Sequence, residues 1–102
     1  MKAIIEGRKY NTETATKLGN YRWGAYGDFN HIDESLYRTK KGRYFLAGEG
    51  GAMTHYSRSC GDNSWCGGEK IIPVEEWEAR EWMENHCEAE EYIAAFGEPD
   101  EA

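Results

Sequence analysis

At 102 residues the chain has room for one small domain, and its 39% hydrophobic and 14% aromatic content excludes a disordered segment. No apolar run approaches the roughly 20 residues that a membrane-spanning helix needs. The opening Met1-Lys2-Ala3-Ile4-Ile5-Glu6 meets an acid too early for a signal peptide, so a soluble, cytoplasmic protein is expected.

In chain order, Lys2 to Ile5 reads as a short strand ended by Glu6-Gly7. Tyr10 to Trp23 admits two readings. Asn11 can cap a helix through Ala15 and Leu18 that stops at Gly19, whereas the alternating, β-branched Thr12, Thr14 and Thr16 favour a strand, which is preferred. Gly24 to Ile32, with its glycines and Asp and Asn residues, reads as loop. Ser35 to Ala47 has the pattern of a hairpin whose turn closes through a bulge at Gly42, with Leu36, Phe45 and some tyrosines on one face. Residues 48–68 hold six glycines and predict a long loop with at most a short strand near Thr54 to Tyr56. Lys70 to Ile72 predicts another strand, with Pro73 ending it and opening a helix.

That helix is expected over Val74 to Cys87, because Ala79, Trp82, Met83, His86 and Cys87 form one apolar stripe and Glu78, Glu81, Glu84 and Glu88 oppose it. Ala89, Tyr92, Ile93 and Phe96 repeat the spacing in a second helix, stopped by Gly97 and Pro99. The fold class is therefore α+β: a small antiparallel sheet of three to five strands with one or two C-terminal helices packed on one face. Residues 1–97 form the domain and residues 98–102 a frayed acidic tail.

Cys60, Cys66 and Cys87 are an odd set without a secretory signal, so free thiols are expected, and whether Cys60 and Cys66 pair stays open. Paired ligands at zinc-site spacing are missing, and no metal or cofactor is expected. Gly48-Glu49-Gly50-Gly51 lacks the Lys-Ser/Thr and helix of a phosphate loop and reads as a flexible turn. Asp33-Glu34 reads as a solvated edge pair. His55, Ser57, Ser59 and Cys60 carry no nucleophile signature, and an enzyme is not expected.

Charge is the sharper signal. Residues 1–70 hold 11 Lys and Arg against 8 Asp and Glu, residues 71–102 hold Arg80 against 11 acids, and the whole is −7. Such an acidic third repels nucleic acid yet attracts proteins that bind it, although a merely solvated helix face has the same composition. Trp77 stands among Glu78, Glu81 and Glu84, away from the apolar stripe, where it either anchors a partner or folds back under Pro73 or the glycine-rich loop. Trp65 is ambiguous in the same way. On the hairpin, Tyr37, Arg38, Lys40, Lys41, Arg43 and Tyr44 interleave aromatic and basic side chains, the pattern of a surface for RNA or single-stranded DNA or of a charged tip that prevents edge association.

Tyr10-Asn11-Thr12-Glu13-Thr14-Ala15-Thr16, Leu36-Tyr37-Arg38-Thr39-Lys40-Lys41-Gly42-Arg43-Tyr44-Phe45-Leu46, Gly48-Glu49-Gly50-Gly51 and Lys70-Ile71-Ile72-Pro73 before an acidic helix resemble small proteins of unassigned function encoded on bacterial phages, plasmids and integrative elements. The resemblance implies a shared fold and no catalytic residues. It also implies a context in which inhibitors of host defence, anti-CRISPR proteins among them, are common. The expected function is a non-enzymatic inhibitor in the cytoplasm of a bacterial host. It would bind a host protein such as an RNA-guided nuclease, with Trp77 as anchor and Glu78, Glu81, Glu84 and Glu88 in place of phosphates. No membrane role is expected. The alternative is a small RNA- or single-stranded-DNA-binding module that uses the hairpin.

Overall fold

In the computed structural model, which describes residues 1–25 and 27–102, the chain runs through β1 (Lys2–Ile5), β2 (Arg8–Asn11), β3 (Thr16–Trp23), β4 (Ile32–Arg38), β5 (Tyr44–Gly50), β6 (Arg58–Gly61), β7 (Ser64–Cys66), β8 (Gly68–Val74), α1 (Glu76–His86) and α2 (Ala89–Phe96). β3, β4, β5 and β8 form an antiparallel sheet in the order β3-β4-β5-β8, while β1 with β2 and β6 with β7 are separate hairpins. The α+β organisation read from the sequence is the one the chain adopts.

Alternation along each strand divides the core in two. Leu36, Leu46 and Ile72 stand side by side in register and, with Tyr44, pack under Ala79, Trp82 and Met83 of α1 and Ala95 of α2. Phe45, Ala47 and Ile71 point the other way and are covered by Tyr10, Ala3 and Ile5 of the β1–β2 hairpin. Leu36 and Phe45 thus lie on opposite faces rather than one. Leu36 pairs with Leu46, and Phe45 is the next residue along the pleat. Burying either side chain contributes about 1.5–3 kcal/mol.

Local chemistry accounts for the turns. Glu6 and Gly7 both adopt positive φ (52° and 77°) and make the two-residue link between β1 and β2. The strand reading of Tyr10 to Trp23 holds at Tyr10 and Asn11, the end of β2, and over residues 16–23, but fails between them. Thr12 and Thr14 occupy a turn in which the Asn11 side chain accepts the Glu13 N–H at 2.9 Å. At the next tip, the Thr39 carbonyl accepts the Gly42 N–H at 2.9 Å, the Thr39 N–H donates to the Arg43 carbonyl at 2.7 Å, and Gly42 takes φ 87°, the bulged turn expected there. The loop expected at Gly24 to Ile32 contains no helix or strand among its described residues before β4 opens at Ile32; Tyr26 lies outside the described residues.

Three expectations fail after residue 48. Thr54 to Tyr56 is a turn, and the extra strands are β6 and β7. Cys60 and Cys66 are disulfide-bonded across this hairpin with Cα atoms 5.8 Å apart, so the free-thiol expectation is wrong for that pair. The register of the β6–β7 pair shifts between Ser59 and Gly61, at Cys60, and cysteine counting is blind to such a shift. Cys87 is free, and burial raises the pKa of its thiol. Pro73 lies inside β8 opposite Phe45 rather than ending the strand; β8 is an edge strand and tolerates the missing donor. α1 consequently starts at Glu76, after an N-cap at Glu75. Both helices open with capping boxes, in which Glu78 accepts the Glu75 N–H at 2.9 Å and Glu91 the Glu88 N–H at 3.1 Å. Gly97, at φ 92°, caps the end of α2, and residues 98–102 carry neither helix nor strand.

Candidate functional site

The first polar centre lies beneath α1. Glu34 is only 3% exposed, because the pleat that turns Asp33 outward turns its neighbour towards the helices, on the face of Leu36. One carboxyl oxygen accepts the Tyr56 hydroxyl at 2.8 Å and meets His55 Nε2 at 2.9 Å, and the other accepts the Trp82 indole N–H at 2.8 Å. Gly48 pairs with Glu34 across the sheet, and a Cβ there would sit 2.6 Å from the Glu34 Cα. The run Gly48 to Gly51 therefore begins as sheet, with the missing side chain making room. Burial, reinforced by the bond to Glu34, raises the Tyr56 hydroxyl far above the ordinary tyrosine pKa.

The solvated-edge reading is thus wrong for Glu34. It fits Asp33 better: that carboxyl accepts Asn20 at 3.0 Å and Arg22 at 2.9 Å, contacts that hold its pKa below the ordinary value, the Asn20 bond most strongly. The alternation of Ile32, Glu34 and Leu36 was the available signal for Glu34. Chemically the centre ties β4, the 51–57 turn and α1 together. His55 and Cys60 do not combine into a nucleophile, since His55 meets Glu34 and Cys60 is bridged to Cys66.

The second centre is the outer face of α1. Trp77 is 65% exposed, and Glu81 and Glu84, at i+4 and i+7 from it, are exposed without a salt-bridge partner among the described residues. Beside Trp77 opens a groove of about 290 Å³ whose apolar floor is Leu36, Leu46, Val74 and Trp82. Glu78 and Glu88 are placed differently. Glu78 closes the α1 capping box and Glu88 is the N-cap of α2. Of the five residues read as a partner surface, three share the outward face and two serve the helix starts.

The hairpin residues divide as well. Tyr44 is buried against Phe96 at a ring separation of 5.7 Å, Arg38 donates to the Ala95 carbonyl at 2.7 Å, and Tyr37 stacks on Phe45 at 5.1 Å on the opposite face. Of the six, Lys40, Lys41 and Arg43 are exposed at the tip, so the six do not make one stacking surface. Arg8 and Lys9, which sequence reasoning passed over, line a cleft with these three. Trp65, 63% exposed, sits beside the bridged Cys66 in β7.

Among the described residues there is no cluster of His, Cys, Asp and Glu that could hold a metal ion, and no helix is long and apolar enough to cross a membrane. No protein-family model, curated protein or solved structure matches the chain.

Proposed function

We propose that this is a non-enzymatic binding protein, an anti-CRISPR-like inhibitor that acts in the cytoplasm of a bacterial host. It covers the basic, nucleic-acid-binding surface of a defence effector such as an RNA-guided nuclease. The observation that carries the reading is the outer face of α1, where Trp77 stands exposed beside a small apolar groove, with Glu81 and Glu84 exposed on the following turns and without a salt-bridge partner among the described residues. An exposed tryptophan next to an apolar recess supplies the desolvated anchor that dominates binding energy, and the carboxylates steer a basic partner and stand where phosphates would. The Cys60–Cys66 bridge lies in the β6–β7 hairpin and is not among the residues that line this groove.

The test is a target-DNA binding assay with purified RNA-guided nucleases, run with and without the protein. Wild-type protein should lower DNA binding by at least one effector, more strongly at low salt than at about 0.15 M, where screening confines exposed charges to roughly 8 Å. Trp77→Ala and the double variant Glu81→Lys/Glu84→Lys should each remove the inhibition while the fold survives. Inhibition that persists in both variants rejects the α1 face.

A further inference from the structure

We infer that the cleft between the β1–β2 link and the β4–β5 tip is a second binding site, one that takes a run of consecutive phosphate groups. Arg8 and Lys9 come from the first hairpin and Lys40, Lys41 and Arg43 from the other, and together they line one cleft of about 430 Å³ with Thr14 and Thr39. All five cations are exposed, and none has a salt-bridge partner among the described residues. Gathering like charges from two distant segments raises the free energy of the empty protein, and a polyanion removes that cost. The cations cannot serve an isolated carboxylate economically, because five donors surround a space larger than one such group; a chain of phosphates uses several at once.

The ring chemistry narrows the ligand. Tyr10, the aromatic residue of this cleft, is buried, and the hairpin tyrosines are packed elsewhere, so among the described residues no exposed ring lines the cleft to stack a base. The contact is with phosphates alone and is indifferent to sequence. Arg8 and Arg43 also border a neighbouring cleft with Glu6, Glu75 and Glu76, which fences the site on one side and makes the lysines its cleaner probes. This inference does not rest on the α1 face, and its test contains no protein partner.

The experiment is fluorescence anisotropy with a labelled oligothymidylate of about 10 nucleotides, titrated at several salt concentrations, with inorganic tripolyphosphate as competitor. Binding should weaken with salt at about 0.7 logarithmic units per phosphate engaged, and Lys9→Gln/Lys40→Gln/Lys41→Gln should reduce that slope by about 2 and the low-salt affinity at least about tenfold. Lys2→Gln/Lys17→Gln/Lys70→Gln changes net charge equally on exposed lysines outside the cleft and should shift affinity by less than about threefold. Displacement by tripolyphosphate would assign a compact polyphosphate ligand, and affinity that grows with oligonucleotide length would assign a nucleic-acid backbone; either supports the site. Absence of oligonucleotide binding at low salt overturns it. So does an equal loss in the two triple variants, which would reduce the effect to bulk charge.

Discussion

Helix α1 carries two tryptophans, each close to glutamate, and they have opposite fates. Trp82 is buried and donates its indole N–H to Glu34, whose other oxygen is taken by Tyr56 and His55. Trp77 is exposed beside Glu81 and Glu84, which bond to nothing charged among the described residues. Five positions along a helix turn the side chain through about 140°, enough to carry one tryptophan into the core and leave its neighbour in solvent. The same two residue types thus hold the fold together on one side and are free to bind on the other. Residue type alone therefore assigns no role; the direction of the side chain does.

The comparison breaks if the inner pair is dispensable. Trp82→Ala should cost about 3–5 kcal/mol, since it opens a cavity under α1 and also strips Glu34 of a donor. Denaturant titration would measure it, and a variant as stable as the parent would mean that the stripe is not the buried face. Glu34→Gln should cost less, roughly 1–3 kcal/mol, because the volume is kept while an amide now faces one of the donors. Equal stability of this variant would show that the three bonds to Glu34 contribute nothing net.

A pH experiment sharpens the same side. Folding raises the Tyr56 pKa above its unfolded value, so the folded form binds the hydroxyl proton more tightly. Its contribution is complete below about pH 10 and is lost as pH climbs from there towards the folded pKa, by at most about 1.4 kcal/mol per pH unit. Tyr56→Phe should therefore be less stable than wild type at neutral pH, and the gap between them should narrow in alkaline solution. A constant gap would separate Tyr56 from the Glu34 centre. The smallest effect belongs to the outer pair: Trp77→Ala should move stability by no more than about 0.5 kcal/mol in a melting experiment. A large loss there would make Trp77 a packing residue and remove the asymmetry between the two faces.

Much of the fold was legible. The spacing of Ala79, Trp82 and Met83 located α1 and its buried face, and Tyr92, Ile93 and Phe96 before Gly97 located α2 and its end. Gly42 named its own turn. The candidate sites were less legible. Trp77 with Glu81 and Glu84 emerged because one helix presents them, whereas Glu78 and Glu88 carry the same charge yet serve the capping boxes. Arg8 and Lys9 offered no sign that they would meet Lys40 and Lys41.

The division follows the range of the forces involved. Helical periodicity, caps and positive-φ turns depend on residues within a few positions of one another, so the sequence by itself determined α1, α2, the β1 strand and the Gly42 tip. Strand partners and register join residues far apart in the chain. Only the tertiary structure decided that Pro73 lies on an edge strand, that Cys60 meets Cys66, that Glu34 turns inward to Trp82, and that two separate hairpins bring their cations to one cleft.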